Sequence, residues 1–209
     1  MCGVAAILAP LPVDQRSALV DGMCGLLAHR GPDGQGLWSA SSSFGPLGLT
    51  LGHRRLAIVD LSSTGAQPMT RGALTVSYNG ELYNFVEERT RLAALGHTFV
   101  GSSDTEVLLA LCQQHGVLSA LGRTNGMFAF ALADPQTSTL WLARDRFGEK
   151  PLYYLQTADT LVVASEPKAI LLAARRLRIP IAVQRDVLSC YLADAEYEVG
   201  DATFFAPIR

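Results

Sequence analysis

Charge of one sign is scarce in this sequence, with 17 Lys and Arg against 19 Asp and Glu, and only 17% of residues are charged at all. The basic residues are scattered, so the chain offers no positive field for a phosphate backbone, and its pI near 6.1 argues against a nucleic-acid function. Long apolar runs are missing too. The longest stretches, such as Met127–Ala133, fall far short of the ~20 residues a membrane helix needs, and no basic-then-apolar leader opens the chain. A cytoplasmic protein without a membrane segment is expected. Cysteine is sparse: Cys2, Cys24, Cys112 and Cys190 form no CxxC pair and have no histidine at ligand spacing, which excludes a zinc site or a disulfide framework on pattern and leaves no metal site expected. Repeats, low-complexity tracts and linkers are likewise lacking. What is there is 209 residues, 49% of them hydrophobic, enough for one large core and a single domain over 1–209.

The patterning predicts blocks of strands with helices between them. Gly3–Leu8 reads as a buried strand and Asp14–Arg30 as a helix, followed by a Gly- and Pro-rich loop over Gly31–Gly36. Leu47–His53, Leu56–Leu61 and Leu74–Tyr78 read as strands, with Asn79-Gly80 directly after the last. Helices are expected over Phe85–Leu95 and Asp104–His115, the second with Ser103 as N-cap and Glu106 as its capping-box partner. Met127–Ala133, Leu140–Ala143, Leu152–Leu155 and Leu161–Ser165 have the look of a meander. Helices near Pro167–Arg175 and Gln184–Leu192 precede a weakly structured tail ending at Arg209. This order suits an α+β sandwich better than an alternating parallel sheet.

Cys2 stands out by position. Followed by the small Gly3, it would, once Met1 is removed, carry a thiol and a free α-amine on one residue. The α-amine titrates near 7.7–8.0 and the thiol near 8.5, so proton transfer between them is almost balanced at neutral pH. That pair is a minimal nucleophile and base. A Cys–His pair drawn from His29, His53, His97 or His115 is the rival, with nothing in the sequence directing any of them to Cys2. Cys24 and Cys112 lie in apolar helical patterns and read as inert buried thiols, and Cys190 is similar.

A series of ordered motifs extends over nearly the whole chain. Met1-Cys2-Gly3, His29-Arg30-Gly31-Pro32-Asp33-Gly34, His53-Arg54-Arg55-Leu56-Ala57-Ile58-Val59-Asp60, Gly65-Ala66-Gln67-Pro68-Met69 and Tyr78-Asn79-Gly80-Glu81-Leu82-Tyr83-Asn84 open it. Ser103-Asp104-Thr105-Glu106-Val107, Gly126–Ala131, Ala143–Gly148, Pro151–Tyr154 and Ala164–Lys168 continue it. Together they resemble the class II glutamine amidotransferase domain of glutamine-dependent asparagine synthetases. The resemblance implies a four-layer αββα sandwich of the N-terminal-nucleophile hydrolase type, with two antiparallel sheets between helical layers.

It also implies a chemistry. Cys2 would attack the side-chain amide of L-glutamine with its own α-amine as base, passing through a thioester to glutamate and ammonia. Asn79 and Gly80 would form the oxyanion hole, glycine permitting a tight backbone after the strand. Read alone, Asn-Gly would be a hairpin turn. Arg55 would grip the substrate carboxylate, Leu56, Ile58 and Val59 would provide backbone and apolar wall, and Glu81 and Asp104 would receive the ammonium. Arg30, Asp33, Asp145 and Arg146 would hold loops, Arg54 would be solvated or pack on a loop, and Phe128, Phe130, Tyr153 and Tyr154 would pack the core.

The family's ATP-dependent synthetase domain, with its Ser-Gly-Gly-x-Asp phosphate loop, has no counterpart in this sequence. The resemblance therefore implies no cofactor for this domain, ATP and Mg being needed only by that second domain. It implies L-glutamine and a synthetase domain or partner chain as partners, with a homo-oligomer possible. The alternative is a non-catalytic glutamine-sensing or docking domain.

Overall fold

The computed structural model describes residues 1–195 and 200–209, and only the backbone of 41–43. The chain opens with β1 (Gly3–Ala9), α1 (Val13–Leu26), β2 (Gly34–Phe44) and β3 (Leu47–Arg55). After a short 3-10 turn at Ser63–Gly65 come β4 (Met69–Arg71), β5 (Leu74–Leu82), α2 (Phe85–Ala94), α3 (Asp104–His115) and α4 (Val117–Arg123). The second half holds β6 (Gly126–Asp134), β7 (Thr139–Arg144), β8 (Tyr153–Gln156), β9 (Leu161–Ala164), α5 (Pro167–Leu177), β10 (Ala182–Val183), α6 (Arg185–Asp194) and β11 (Phe205–Ala206). One sheet runs β2-β3-β1-β9-β8 and another β4-β5-β6-β7, with β10 and β11 as a separate pair. All pairings are antiparallel. Among the described residues no helix is long and apolar enough to cross a membrane.

The first strand shows why the layers stack as they do. Residues alternate across a strand. Ala5, Ile7 and Ala9 therefore enter one cluster with Met23 of α1 and Ile170 of α5, while Val4 and Ala6 enter another with Leu49 and Leu51 of β3 and Ala131 of β6. Both faces are covered, which is why the strand reads as an unbroken apolar run. On the second sheet, Val76, Tyr78 and Phe130 pack against Val107, Leu108 and Leu111 of α3. The result is helix, sheet, sheet, helix, the αββα sandwich implied by the motifs.

Several expectations need correction. Leu56–Leu61 is loop, because its polar partners lie in its own wrap: Arg55 donates to the carbonyls of Ser62 (2.9 Å) and Asp60. The Gly-rich loop ends earlier than expected, since Gly34–Gly36 already pair with β3. Helix α1 stops at Leu26, and the following turns swing Arg30 inward to Cys2. The supposed meander divides between the sheets: β6 pairs with β7, and β8 with β9. The crossing loop is fixed by Asp145, which burial pushes up but which the amides of Glu149, Lys150, Phe128 and Phe147 hold below the usual carboxylate range. Ser103 does cap α3, accepting from Glu106 N at 3.3 Å, whereas the Glu106 carboxylate accepts from Val100 and Gly101 instead of closing a capping box. Part of the expected weak tail, residues 196–199, lies outside the described residues, and β11 gives its end a short strand.

Candidate active site

A cavity of about 120 Å³ opens where the carboxyl end of β3, the start of β1 and the far end of β5 converge. Every residue singled out for the site lines it: Cys2, Arg55, Leu56, Ile58, Val59, Asn79, Gly80, Glu81 and Asp104. None of the four histidines does. His29 instead meets Glu166 at 2.9 Å and His97 meets Gln114 at 2.8 Å, so no Cys–His pair forms.

Cys2 is held by its own backbone and by β3. Gly3 pairs with Arg54, the Cys2 carbonyl accepts from Arg30 Nε at 2.8 Å, and Arg30 is itself anchored on Glu166 at 3.0 Å. Leu56 N donates to Cys2 Sγ at 3.3 Å. Burial pushes the Cys2 thiol up, while the Leu56 amide, the chain's amino terminus and Arg55 pull it back and Asp104 adds to the rise. The sulfur therefore rests protonated, beside a donor ready to support it when it ionises.

The strand β5 supplies the opposing wall. Asn79-Gly80 is neither a turn nor the end of a strand: Asn79 faces Ala129 and Gly80 faces Phe128 in the β5–β6 ladder, which continues to Leu82. Glycine at 80 answers to crowding, since a Cβ there would sit 2.5 Å from Met127 O and 2.7 Å from Phe128 Cβ. Successive amides of a strand alternate between its edges. Tyr78 N donates to Gln67 Oε1 at 2.7 Å and Leu82 N to Asp104 Oδ2 at 2.9 Å, both away from β6, so Gly80 N between them faces that same edge, toward the cavity. Asn79 is 2% exposed, and its Nδ2 is buried with no partner among the described residues. A buried amide donor without an acceptor costs about 1–3 kcal/mol. Two donors of adjacent residues thus stand at one cavity with a capacity the protein itself does not use.

Arg55 spends two donors on the loop carbonyls of Asp60 and Ser62, and guanidinium has five. Gly65 leaves room for it, because any Cβ there would collide with the guanidinium. Asp60 shapes the loop as a whole. Its carboxyl, held well below its ordinary range by Ser62 first and by Thr64 and Ser102 besides, accepts from Ser62 Oγ (2.7 Å), Thr64 Oγ1 (2.8 Å) and Ser102 N (3.1 Å). Asp33 braces the same wall by accepting from Ala57 N at 2.9 Å, and Arg54 packs on the loop carbonyl of Gly31.

Asp104, at the first turn of α3, is 5% exposed and accepts from Tyr78 Oη at 2.9 Å. Burial raises its pKa against the lowering by Leu82 N and Tyr78. A buried carboxylate at a cavity wall, kept from ionising freely, is a receptor for a cation. Glu81 is half-buried beside it. The cavity also has members not foreseen as lining it, among them Gln67, Tyr78, Thr105 and Lys150. Gln67 and Tyr78 lay inside quoted motifs, but only the Gln67-to-Tyr78 bond across the loop reveals their part. Cys24 and Cys112 are buried thiols pushed up by burial to about 12, inert as expected. Phe128 and Phe130 stack in the core with centroids 5.9 Å apart.

Comparison with known proteins points the same way. The amidase chry2 of Gibberella zeae is 35% identical over 218 aligned positions, covering 98% of this chain and 30% of that protein. A protein named asparagine synthetase [glutamine-hydrolyzing] 1 from Bacillus subtilis is 37% identical over 184 positions, 86% of this chain and 28% of its own length. The chain thus spans less than a third of either of these two relatives. Among solved structures, the glutamine phosphoribosylpyrophosphate amidotransferase of B. subtilis superposes with a TM-score of 0.69 at 26% identity, over 82% of this chain and 43% of that one. The glutamine amidotransferase domain family matches residues 1–209, and the chain belongs to that family.

Proposed function

We propose that this chain hydrolyses the side-chain amide of L-glutamine at Cys2. In this reading, removal of Met1 frees the Cys2 amine. The sulfur attacks the amide carbon as its proton passes to that amine, and the carbonyl oxygen gains charge toward Asn79 Nδ2 and Gly80 N. The tetrahedral intermediate then collapses, breaking the C–N bond, and the amine returns the proton to the departing ammonia. Water adds to the resulting thioester with the amine again as base, and glutamate leaves. The steps balance with water alone, so hydrolysis as proposed uses no cofactor. Arg55 takes the substrate carboxylate and Asp104, with Glu81, its ammonium, which selects a free amino acid over a peptide.

The observation that carries this reading is the buried, unpartnered Nδ2 of Asn79 in a cavity that also holds Cys2. Oxyanion donors work when they are fixed before charge develops. The relatives' names support ammonia transfer to an acceptor domain, and we propose a synthetase that amidates aspartate, in the cytoplasm, where the thiol stays reduced. The test is release of glutamate and ammonia from glutamine by chain that begins at Cys2. Cys2→Ala is expected to abolish it and Asn79→Ala to lower kcat by about 10²–10³. Undiminished hydrolysis by Cys2→Ala contradicts the reading, and glutamine binding without turnover by the unmodified chain makes this a sensing domain.

A further inference from the structure

The cysteine and the oxyanion donors stand on different sheets. Cys2 and Arg55 belong to the β1–β3 side, Asn79 and Gly80 to β5. The layer between the sheets is mostly apolar and rich in alanine, such as Ala6, Ala131 and Ala133. Apolar packing is not directional, so it resists separation of the sheets better than sliding.

One polar link crosses this layer. His53 Nδ1 lies 3.1 Å from Ser77 Oγ, and Ser77 Oγ donates to Gly52 O at 2.8 Å. These are the only hydrogen bonds joining a strand of one sheet to a strand of the other among the described residues. The proton inventory fixes the link's direction. A carbonyl can only accept, so the single hydroxyl proton of Ser77 goes to Gly52, and His53 must hold its proton on Nδ1 and donate it to Ser77. Both residues are fully buried. Burial, aided by Arg55, lowers the His53 pKa to about 3, so the ring is neutral under ordinary conditions, and its bare Nε2 has no partner. A buried unpartnered nitrogen is a cost that an apolar side chain would avoid.

The location explains what the cost sustains. His53 pairs with Val4, next but one to Cys2, and lies two residues before Arg55. Ser77 lies two residues before Asn79, on the same face of β5. Resting on the glutaminase reading above, we infer that His53 and Ser77 are positioning residues that lock the register between the cysteine's sheet and the oxyanion strand. Neither touches substrate.

The experiment compares Ser77→Ala, His53→Leu and His53→Asn with the unmodified chain, by initial rates over a range of glutamine concentrations and by thermal melting. Asn keeps an N–H near the place of Nδ1, whereas Leu keeps bulk and loses the donor. Ser77→Ala and His53→Leu are expected to lower kcat about 10- to 100-fold, the scale of a small misplacement of reacting groups. KM should move less than kcat, because Arg55 and Asp104, although on opposite sides of the layer, each keep their own hydrogen bonds. His53→Asn should recover most of the loss. Equal kcat in Ser77→Ala and the unmodified chain overturns the inference while leaving the glutaminase reading intact, as does a loss that only tracks melting temperature and falls on kcat and KM alike. No hydrolysis by the unmodified chain instead removes the reading and this inference with it. If His53→Leu does not fold, Ser77→Ala alone decides.

Discussion

Asp104 illustrates how far a single residue's environment determines its use. It sits at the first turn of α3, where a carboxylate is ordinarily favoured, yet burial raises its pKa, and its partners Tyr78 and Leu82 N orient it toward the cavity. An incoming ammonium restores what desolvation takes away, so substrate binding and ionisation of Asp104 reinforce one another. Charge-assisted hydrogen bonds are worth about 1.5–3 kcal/mol, so Asp104→Asn should raise KM for glutamine about 10- to 150-fold and change kcat little. In the unmodified chain KM should rise as pH falls through the raised pKa, and the rise should vanish in Asp104→Asn. Steady-state rates across acidic pH check both. Cys2 is the other residue whose surroundings matter more than its type. Of four cysteines, two are pushed to about 12 and sealed in helical cores, and Cys2 alone lines the cavity with an amide aimed at its sulfur.

Among the elements, the loop after β3 shows where sequence reading succeeds and fails. Leu56, Ile58 and Val59 were legible as cavity wall through the motif, but the apolar run Leu56–Leu61 imitated a strand. What decides the matter is Asp60, whose hydrogen-bond partners at Ser62, Thr64 and Ser102 come partly from 42 residues away. Asn79-Gly80 misleads in the opposite direction. A common turn dipeptide sits in mid-strand because Gly80 must clear Phe128 and Met127 on β6, a contact with no local trace. Strands packed on both faces, such as β1, were readable from their apolar runs, whereas β2 was not, its Gly and Ser content hiding a ladder made entirely with β3. Asp60→Ala should therefore loosen the loop without unfolding the sandwich. Hydrogen exchange is expected to quicken at the amides of Ser62 and Ser102, with KM for glutamine rising about tenfold as Arg55 loses its fixed geometry. Unchanged exchange at those amides would show that Asp60 does not organise the loop.

At the scale of the molecule, the sandwich brings chain segments far apart in sequence to one place, and Glu166 marks the tie. It lies just before α5 and reaches back to His29 and Arg30, which in turn holds the Cys2 carbonyl. Burial pushes its pKa up, but Lys168, Arg30 and His29 outweigh this and bring it down to about 2 from an ordinary 4.5. A carboxylate whose folded pKa is depressed stabilises the native state fully above its unfolded value, and that contribution fades as pH falls toward the folded one. The melting temperature of Glu166→Gln should accordingly lie below that of the unmodified chain at neutral pH, and the two should converge between pH 4.5 and about 2. The central claim, however, is covalent: sulfur, amine and oxyanion donors meet around one glutamine amide. It is tested most directly by acid-quenching the chain during turnover and mapping its peptides by mass spectrometry. The account expects one γ-glutamyl group on the peptide carrying Cys2, accumulating less in Asn79→Ala; glutamate release with no such adduct at Cys2, or with the adduct at another residue, contradicts it.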